Sequence, residues 1–281
     1  MVLDGDMMSG KPPTRGVLDS AASAMKILLT ERRIPGPVYR TIFQTLDKFG
    51  IDKVTVRHKG LRVTGYTHSI WEYFIIRDKK EYDIVGQDFK PGMTVIDIGA
   101  NQGFFTLYAA SKGARVISFE PSKTNFAMLS RNVEQNGLNA SVKCFDCAVS
   151  GASGTTTIFE GLSSSGRFLS TTASIRDSNR GGADVRSAVT NTVTLDEVFQ
   201  NNGIEFCDLL KLDCEGSEYD IIPTISSETF RRIRNISMEY HDGRLDEMNG
   251  WLARGGFDIV SVRGGNVGLL KARNKSVVRG L

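Results

Sequence analysis

Apolar positions change their period along this chain, and the changes mark its elements. Val17, Leu18, Ala21, Ala24, Met25, Leu28 and Leu29 recur at helical spacing, which predicts an amphipathic helix over 17–33. Residues 1–16, rich in Gly, Pro, Ser and Asp, are expected to be disordered. A helix is expected over 38–49, after Pro35-Gly36-Pro37. Val54 to Arg57 and Leu61 to Thr64 then flank His58-Lys59-Gly60 as a β-hairpin. Residues 69–85, with Trp71, Tyr73, Phe74, Ile75 and Ile76, read as a further helix.

From Pro91 the pattern alternates between short apolar runs and helical faces. Strands are expected at Val95–Ile98, Arg115–Phe119 and Ser141–Val149, with helices at Phe104–Ser111 and Asn125–Gln135 between them. A Ser/Thr/Gly-rich stretch interrupts this order at 151–193, bracketed by β-prone pieces at Thr155–Phe159 and Val189–Thr194. It reads as an insertion over the rim of a site, with disorder as the alternative. The order resumes with a helix from Leu195, a strand at Asp208–Asp213, a helix at 217–226, a strand at Arg234–Tyr240 and a helix at Leu245–Arg254. Phe257–Val262 and Val267–Ala272 form a closing hairpin. Strands alternating with helices imply an α/β fold with a doubly wound, mostly parallel sheet. The domain organisation that follows is a disordered 1–16, a helical and β-hairpin N-terminal extension at 17–80, one catalytic domain at 81–274 and a tail at 275–281.

At 281 residues the chain needs no disulfide or metal for a stable core, and 40% hydrophobic with 24% charged residues is ordinary globular composition. A net charge of +3 is too small to argue for nucleic acid. Cys144 and Cys147 have C-x-x-C spacing, but Cys207 and Cys214 do not complete a second pair, so buried free thiols are favoured over a metal or redox centre. The start lacks the order of a signal peptide, and no run reaches roughly 18 apolar residues. A cytoplasmic protein without a membrane span is expected.

The chemistry concentrates at Asp97-Ile98-Gly99-Ala100-Asn101-Gln102-Gly103, a glycine loop after an apolar strand and before a helix. Gly99 lets backbone and ligand approach closely, and Gly103 permits the turn into the helix. Glu120, 21 positions after Gly99, ends the next strand and is followed by Pro121. An acid at that place accepts from the ribose hydroxyls of an adenosine. A dinucleotide fold would want glycines at 99, 101 and 104, whereas Asn101 and Phe104 stand there. S-adenosylmethionine, with no pyrophosphate, does not need that packing. The closing hairpin resembles the antiparallel last strand of the seven-stranded class I methyltransferases.

Several ordered motifs then resemble the FkbM-type methyltransferases. They are Met93 to Thr106, Ser118-Phe119-Glu120-Pro121, Cys147-Ala148-Val149-Ser150, Val193-Thr194-Leu195-Asp196-Glu197, Leu210 to Glu218, and Met238-Glu239-Tyr240-His241. The resemblance covers about 81–272 and leaves residues 1–65 unexplained. It implies a Rossmann-like fold, S-adenosylmethionine as donor with S-adenosylhomocysteine as product, and methylation of hydroxyl groups on sugars or polyketide-like natural products. It places Asp97, Gly99, Asn101 and Gly103, with Ala100 and Phe104 beside them, around the methionine part of the donor. Glu120, with Pro121, falls on the ribose, and Asp146, Cys147 and Ala148 near the adenine. A solvated strand-end acid remains the other reading of Asp146.

Two polar clusters lie at strand ends, where ligands bind in open α/β sheets. They are Asp213-Cys214-Glu215-Gly216-Ser217-Glu218, and Glu239 with His241. Asp213, also counted with the donor site, and His241 are the preferred base assembly, because a histidine accepts a proton near neutral pH. Glu215 and Glu239 are orienting partners. Asp213, Glu239 and His241 holding a divalent cation is a further reading. The anionic, proline-free turn after Leu212 disfavours an amine on a nucleic-acid base as acceptor. Arg167, Arg176, Arg180 and Arg186 of the insertion are read either as contacts to a sugar, carboxylate or phosphate or as a solvated loop. The expected partner is a small-molecule or glycan acceptor, not nucleic acid. Two other classes stand beside this reading, an NAD(P)-dependent oxidoreductase and a non-catalytic interaction module that keeps the fold.

Overall fold

The computed structural model describes residues 36–48, 50–161 and 185–276. The expected helix over 17–33, the disordered start, Arg167, Arg176, Arg180 and the last five residues lie outside the described residues. After helix α1 (Gly36–Lys48) come strands β1 (Lys53–His58) and β2 (Leu61–Tyr66), an antiparallel hairpin, then helix α2 (Trp71–Asp78). The sheet-building part follows with β3 (Thr94–Ile98), α3 (Phe104–Ser111), β4 (Arg115–Phe119), α4 (Lys123–Glu134), β5 (Val142–Phe145) and β6 (Ala148–Val149). Next are β7 (Gly154–Gly161), β8 (Val185–Val193), α5 (Leu195–Asn201), β9 (Leu209–Leu212), α6 (Glu218–Ile221) and α7 (Ser227–Arg231). The described chain ends with β10 (Asn235–Tyr240), α8 (Leu245–Arg254), β11 (Phe257–Gly264) and β12 (Gly268–Asn274).

Seven strands form one sheet in the order β11-β12-β10-β9-β3-β4-β5. The pairs β10–β9, β9–β3, β3–β4 and β4–β5 are parallel, whereas β12 runs antiparallel to both neighbours. The short strands carry apolar side chains on both faces because helices cover both. Val95, Val116 and Leu209 stand side by side in register and pack with Phe105, Leu129 and Val133. Their neighbours Ile96, Ile117 and Leu210 point the other way, onto Val198, Phe199 and Met248. No helix among the described residues is long and apolar enough to cross a membrane.

Three expected elements come out differently. The strand over Ser141–Val149 is two: β5 stays in the main sheet, and β6 turns away to pair with β8 in a three-stranded sheet, β6-β8-β7. The reason is that β4 ends at Phe119 and Pro121 has no N–H to extend the ladder. The bracketing pieces of the insertion are the paired strands β7 and β8. The helix over 69–85 stops at Asp78, where Lys80 takes a left-handed φ of 51° and turns Tyr82 and Ile84 into the core. The helix over 217–226 is only α6 plus a 3-10 turn holding Pro223, and α7, capped by Ser226, was not legible.

The N-terminal elements are bound tightly to the sheet-building part. Phe104 and Leu107 of α3 share a core with Phe43, Val54, Val63, Ile70 and Phe74. Fully buried Asn132 holds β2 like another strand: its Oδ1 accepts from the Thr64 N–H at 2.8 Å, and its Nδ2 donates to the carbonyls of Thr64 and Gln102, both at 2.8 Å. Gln102, also fully buried, accepts from the Tyr66 N–H at 2.8 Å and donates to Ser69 Oγ at 2.6 Å.

Candidate active site

A cavity of about 470 Å³ opens at the carboxyl ends of β3, β4, β9 and β10. That volume lies within the range of small-molecule sites. Its floor is Gly99 and Asn101 after β3 and Phe119, Glu120 and Pro121 after β4. Ala148, Val149 and Ile158 add an apolar side, and Asp213, Glu215, Ser217 and Glu239 a polar one. The remaining wall comes from the N-terminal part: Trp71, Glu72, Ile75 and Ile76 of α2, then Lys79, Glu81 and Tyr82.

The floor is shaped by backbone geometry. Gly99 has φ +72°, and a Cβ there would lie 1.8 Å from the Asp213 carbonyl oxygen. The close approach that requires this glycine is therefore to the loop after β9, which locks the two strand ends together. Asn101 takes a left-handed φ of 51° and donates its N–H to Glu120 Oε2 at 2.7 Å; the Ser122 N–H donates to Oε1 at 2.9 Å. Burial pushes the Glu120 carboxyl up to about 7, against the opposing pull of these two amides.

Of the residues singled out in sequence, Gly99, Asn101, Glu120, Pro121, Ala148, Asp213, Glu215 and Glu239 line the cavity. Asp97, Ala100, Gly103, Phe104, Asp146, Cys147 and His241 are not on its wall. Asp97 is fully buried beneath the loop, accepting from Thr106 Oγ1 at 2.6 Å and facing Lys211 Nζ at 3.1 Å. Lys211 Nζ also donates to the Gly99 carbonyl at 2.7 Å. Asp97 thus acts through the loop it supports. Gly103 turns the chain at φ +84° against Leu129. Phe104 faces the N-terminal core beside Tyr73, where a dinucleotide fold takes its third glycine. Asp146 pairs with Lys123. Cys144 and Cys147 are free, and burial raises both thiols, Cys144 to about 11, which leaves little thiolate.

The catalytic expectation changes most at His241. It lies behind the wall, 6% exposed, with Nε2 3.7 Å from both Glu215 and Glu239 and Nδ1 3.6 Å from Glu218. Burial opposes its charge, but Glu218 first, then Glu215 and Glu239, outweigh burial and raise its proton affinity above that of an ordinary histidine. An imidazolium has no lone pair to offer, so these neighbours and its place behind the wall favour His241 as a support for the carboxylates over His241 as the base. Glu239 is itself raised, by burial and by Asp213, with His241 pulling the other way. Tyr82 donates its hydroxyl to Asp213 Oδ2 at 2.9 Å and stands 3.5 Å from Glu239 Oε2. Among the described residues no group of three or more His, Cys, Asp or Glu side chains is arranged to hold a metal ion, and His241 stands off the wall that Asp213 and Glu239 line.

Tyr82 and Glu72 were not legible as site residues: Tyr82 sits in the charged stretch Arg77-Asp78-Lys79-Lys80-Glu81-Tyr82-Asp83, which reads as surface. Glu218 was visible in the cluster after Leu212 but not as a partner of His241. Lys211 was visible in its motif but not as the partner of Asp97.

A doubly wound sheet with an antiparallel penultimate edge strand, and a ligand-sized cavity over its glycine loop, define the class I methyltransferase fold. The FkbM methyltransferase domain matches residues 97–259, and the chain belongs to that family. It is 29% identical over 207 residues to the methyltransferase sdnD of Sordaria araneosa, covering 65% of this chain and 79% of that one. It is 30% identical over 201 residues to the 31-O-demethyl-FK506 methyltransferase FkbM of Streptomyces tacrolimicus, covering 63% and 76%. A third relative, the AMB antimetabolite synthetase AmbE of Pseudomonas aeruginosa, is 31% identical over 250 residues, 73% of this chain but 11% of that longer protein. Among solved structures, an SAM-dependent methyltransferase from Agrobacterium tumefaciens overlays 79% of this chain and 69% of its own at 11% identity and a TM-score of 0.42. That overlay adds nothing to the topology described above.

Proposed function

We propose that this methyltransferase uses S-adenosylmethionine to methylate a hydroxyl group of a sugar, glycan or other small-molecule natural product. The observation that carries the reading is the division of one cavity into a glycine-loop floor with a buried carboxyl and an apolar side, facing a wall of carboxylates. The residues present fit the donor: Glu120 offers a buried carboxyl for ribose hydroxyls, Ala148, Val149 and Ile158 an apolar flank for adenine, and Gly99 and Asn101 the turn between them. Ser217 adds a wall hydroxyl, 1% exposed and without a partner among the described residues. The printed name of the Streptomyces relative specifies O-methylation for that protein, which supports a hydroxyl acceptor here.

The donor, when bound, supplies an electrophilic methyl carbon on a sulfonium. The chain's own contribution is alignment and proton removal. Glu239 is the preferred base, because a carboxylate of raised proton affinity is matched to an alcohol's proton; Asp213 contributes to that rise, and the Tyr82 hydroxyl, bonded to Asp213, stands 3.5 Å from Glu239. Glu215 lines the same wall, and His241 keeps its proton behind it. Four free cysteines favour a reducing compartment such as the cytoplasm.

Titration calorimetry with S-adenosylhomocysteine tests the donor: micromolar binding is expected, and much weaker binding by Glu120→Ala. A folded wild-type protein that does not bind it overturns the reading. Once an acceptor is in hand, Glu239→Gln is expected to lower kcat by roughly 100-fold or more, the ordinary worth of a general base. The rate should rise with pH through neutrality as Glu239 ionises, and a pH-independent rate would remove it as the base.

A further inference from the structure

Six carboxyl groups line the cavity, against one lysine, among the described residues: Glu72, Glu81, Glu120, Asp213, Glu215 and Glu239 face Lys79. Glu120 is held by two backbone amides and belongs to the floor. The other five belong to the far wall, and two of them, Glu72 and Glu81, come from outside the family match. Glu72 forms no ion pair among the described residues, and Asp213, Glu239, Glu81 and Glu215 all bear on it. Burial first, then those four, push its carboxyl up to about 8; burial and Asp213 also raise Glu81, against the opposing pull of Arg263, Lys79 and Lys271. The charges behind them relieve this only in part. Lys211 faces Asp97 at 3.1 Å and Asp213 at 3.7 Å and donates to the Gly99 carbonyl, and His241 is shared among Glu218, Glu215 and Glu239, so that among the described residues Glu72 and Glu81 are left without a cation at ion-pair distance. Tyr82 already donates to Asp213.

A sulfonium donor carries a net charge of about +1, since its ammonium and carboxylate cancel. It can balance one carboxylate of the wall, while Asp213 has Lys211 and both Glu215 and Glu239 have His241 at 3.7 Å, which leaves Glu72 and Glu81 to a further cation. Ser217 Oγ is an independent sign of a polar ligand: it is 1% exposed, lies on this wall, caps nothing and has no hydrogen-bond partner among the described residues. A buried hydroxyl left without a partner is costly, so its place on the wall asks for a ligand atom.

We infer that the acceptor is cationic, an amino-alcohol or amino sugar whose ammonium group is received by Glu72 and Glu81 while a neighbouring hydroxyl is presented to Glu239. This rests on the methyltransferase reading and narrows its acceptor class. Helix α2 and the turn after it are then the selectivity element of this chain. An ammonium entering between the carboxylates favours their ionised forms, so its binding expels protons.

The test uses the full chain saturated with S-adenosylhomocysteine and two probes of equal shape, trans-2-aminocyclohexanol and trans-1,2-cyclohexanediol. Titration calorimetry at pH 7.5 should show the amine binding at least tenfold more tightly than the diol. The heat should depend on the buffer's ionisation enthalpy for the amine alone, reporting the released protons. Glu72→Gln/Glu81→Gln, its fold checked by circular dichroism, should lose that preference and the proton release. Equal binding of the two probes, no binding of either, or a preference that survives the double substitution overturns the inference. Failure of the donor reading shows separately, as absent S-adenosylhomocysteine binding in the same samples.

Discussion

Replacing Asn132 with alanine should loosen the joint between the β1–β2 hairpin and the sheet. The side chain is fully buried and makes three hydrogen bonds of 2.8 Å to backbone groups of β2 and of the glycine loop. Alanine leaves the Thr64 N–H and two carbonyls without these partners in a place water does not reach. Each buried group left unmet costs about 1–3 kcal/mol, so a total near 3 kcal/mol is expected once the second lone pair of each carbonyl is allowed for. At a urea dependence of about 3 kcal/mol per molar, the midpoint should fall by about 1 M with the slope unchanged. The chain from β2 runs through Ser69 and Ile70 directly into α2, so the cavity wall should loosen as well. Trp71 fluorescence should then become more exposed to a neutral quencher before global unfolding. A loss below about 1 kcal/mol, the worth of one ordinary hydrogen bond, would refute this account of the joint.

Three further outcomes are expected. Lys211→Met should destabilise by about 3–5 kcal/mol, because it strands the fully buried Asp97 without its cation, while Lys211→Met/Asp97→Leu should recover much of the loss; equal stability of the two variants in urea would contradict the pairing. Glu72 and Glu239 have folded pKa values raised above their unfolded ones, so the stability they contribute is whole below about pH 4.5 and is lost as pH rises from there through about 8. The ligand-free melting temperature should therefore fall between about pH 5 and 8 and fall less steeply in Glu72→Gln; parallel curves would show that Glu72 does not titrate there. Gly99→Ala should abolish S-adenosylhomocysteine binding and lower stability, since the added carbon meets the Asp213 carbonyl at 1.8 Å in a backbone conformation that disfavours side chains; wild-type affinity would show that the two loops are not locked.

How far the sequence could be read follows from the range of each interaction. Strands such as Arg115–Phe119 and helices such as Phe104–Ser111 and Leu245–Arg254 carry period and stop signals within themselves, and their bounds agree with the structure. The glycine loop and Glu120 were visible because their spacing is local. Strand β6 was misassigned because its partner, Thr192, is 44 positions away. His241 was read as a base from its intrinsic proton affinity, and the sequence did not show that Glu215 and Glu218, more than twenty positions away, join Glu239 around it and raise that affinity. Tyr82 and Glu72 reach the cavity only because Lys80 reverses the chain and α2 packs on α3, and no periodicity announces such a reversal. Asp97 illustrates a motif residue whose place was legible and whose partner was not.

The direction of β12 decides where another polypeptide can be attached. Running against its neighbours, it delivers Asn274 beside Arg234 and Lys275 beside Gly256, at the starts of β10 and β11. That end of the sheet is the one away from the cavity mouth. A fused tag, reporter or carrier joined after Ser276 through a short linker therefore departs from the opposite pole, leaving the passage for donor and acceptor unobstructed. The same attachment made in the turns after β3, β9 or β10 would stand in that passage.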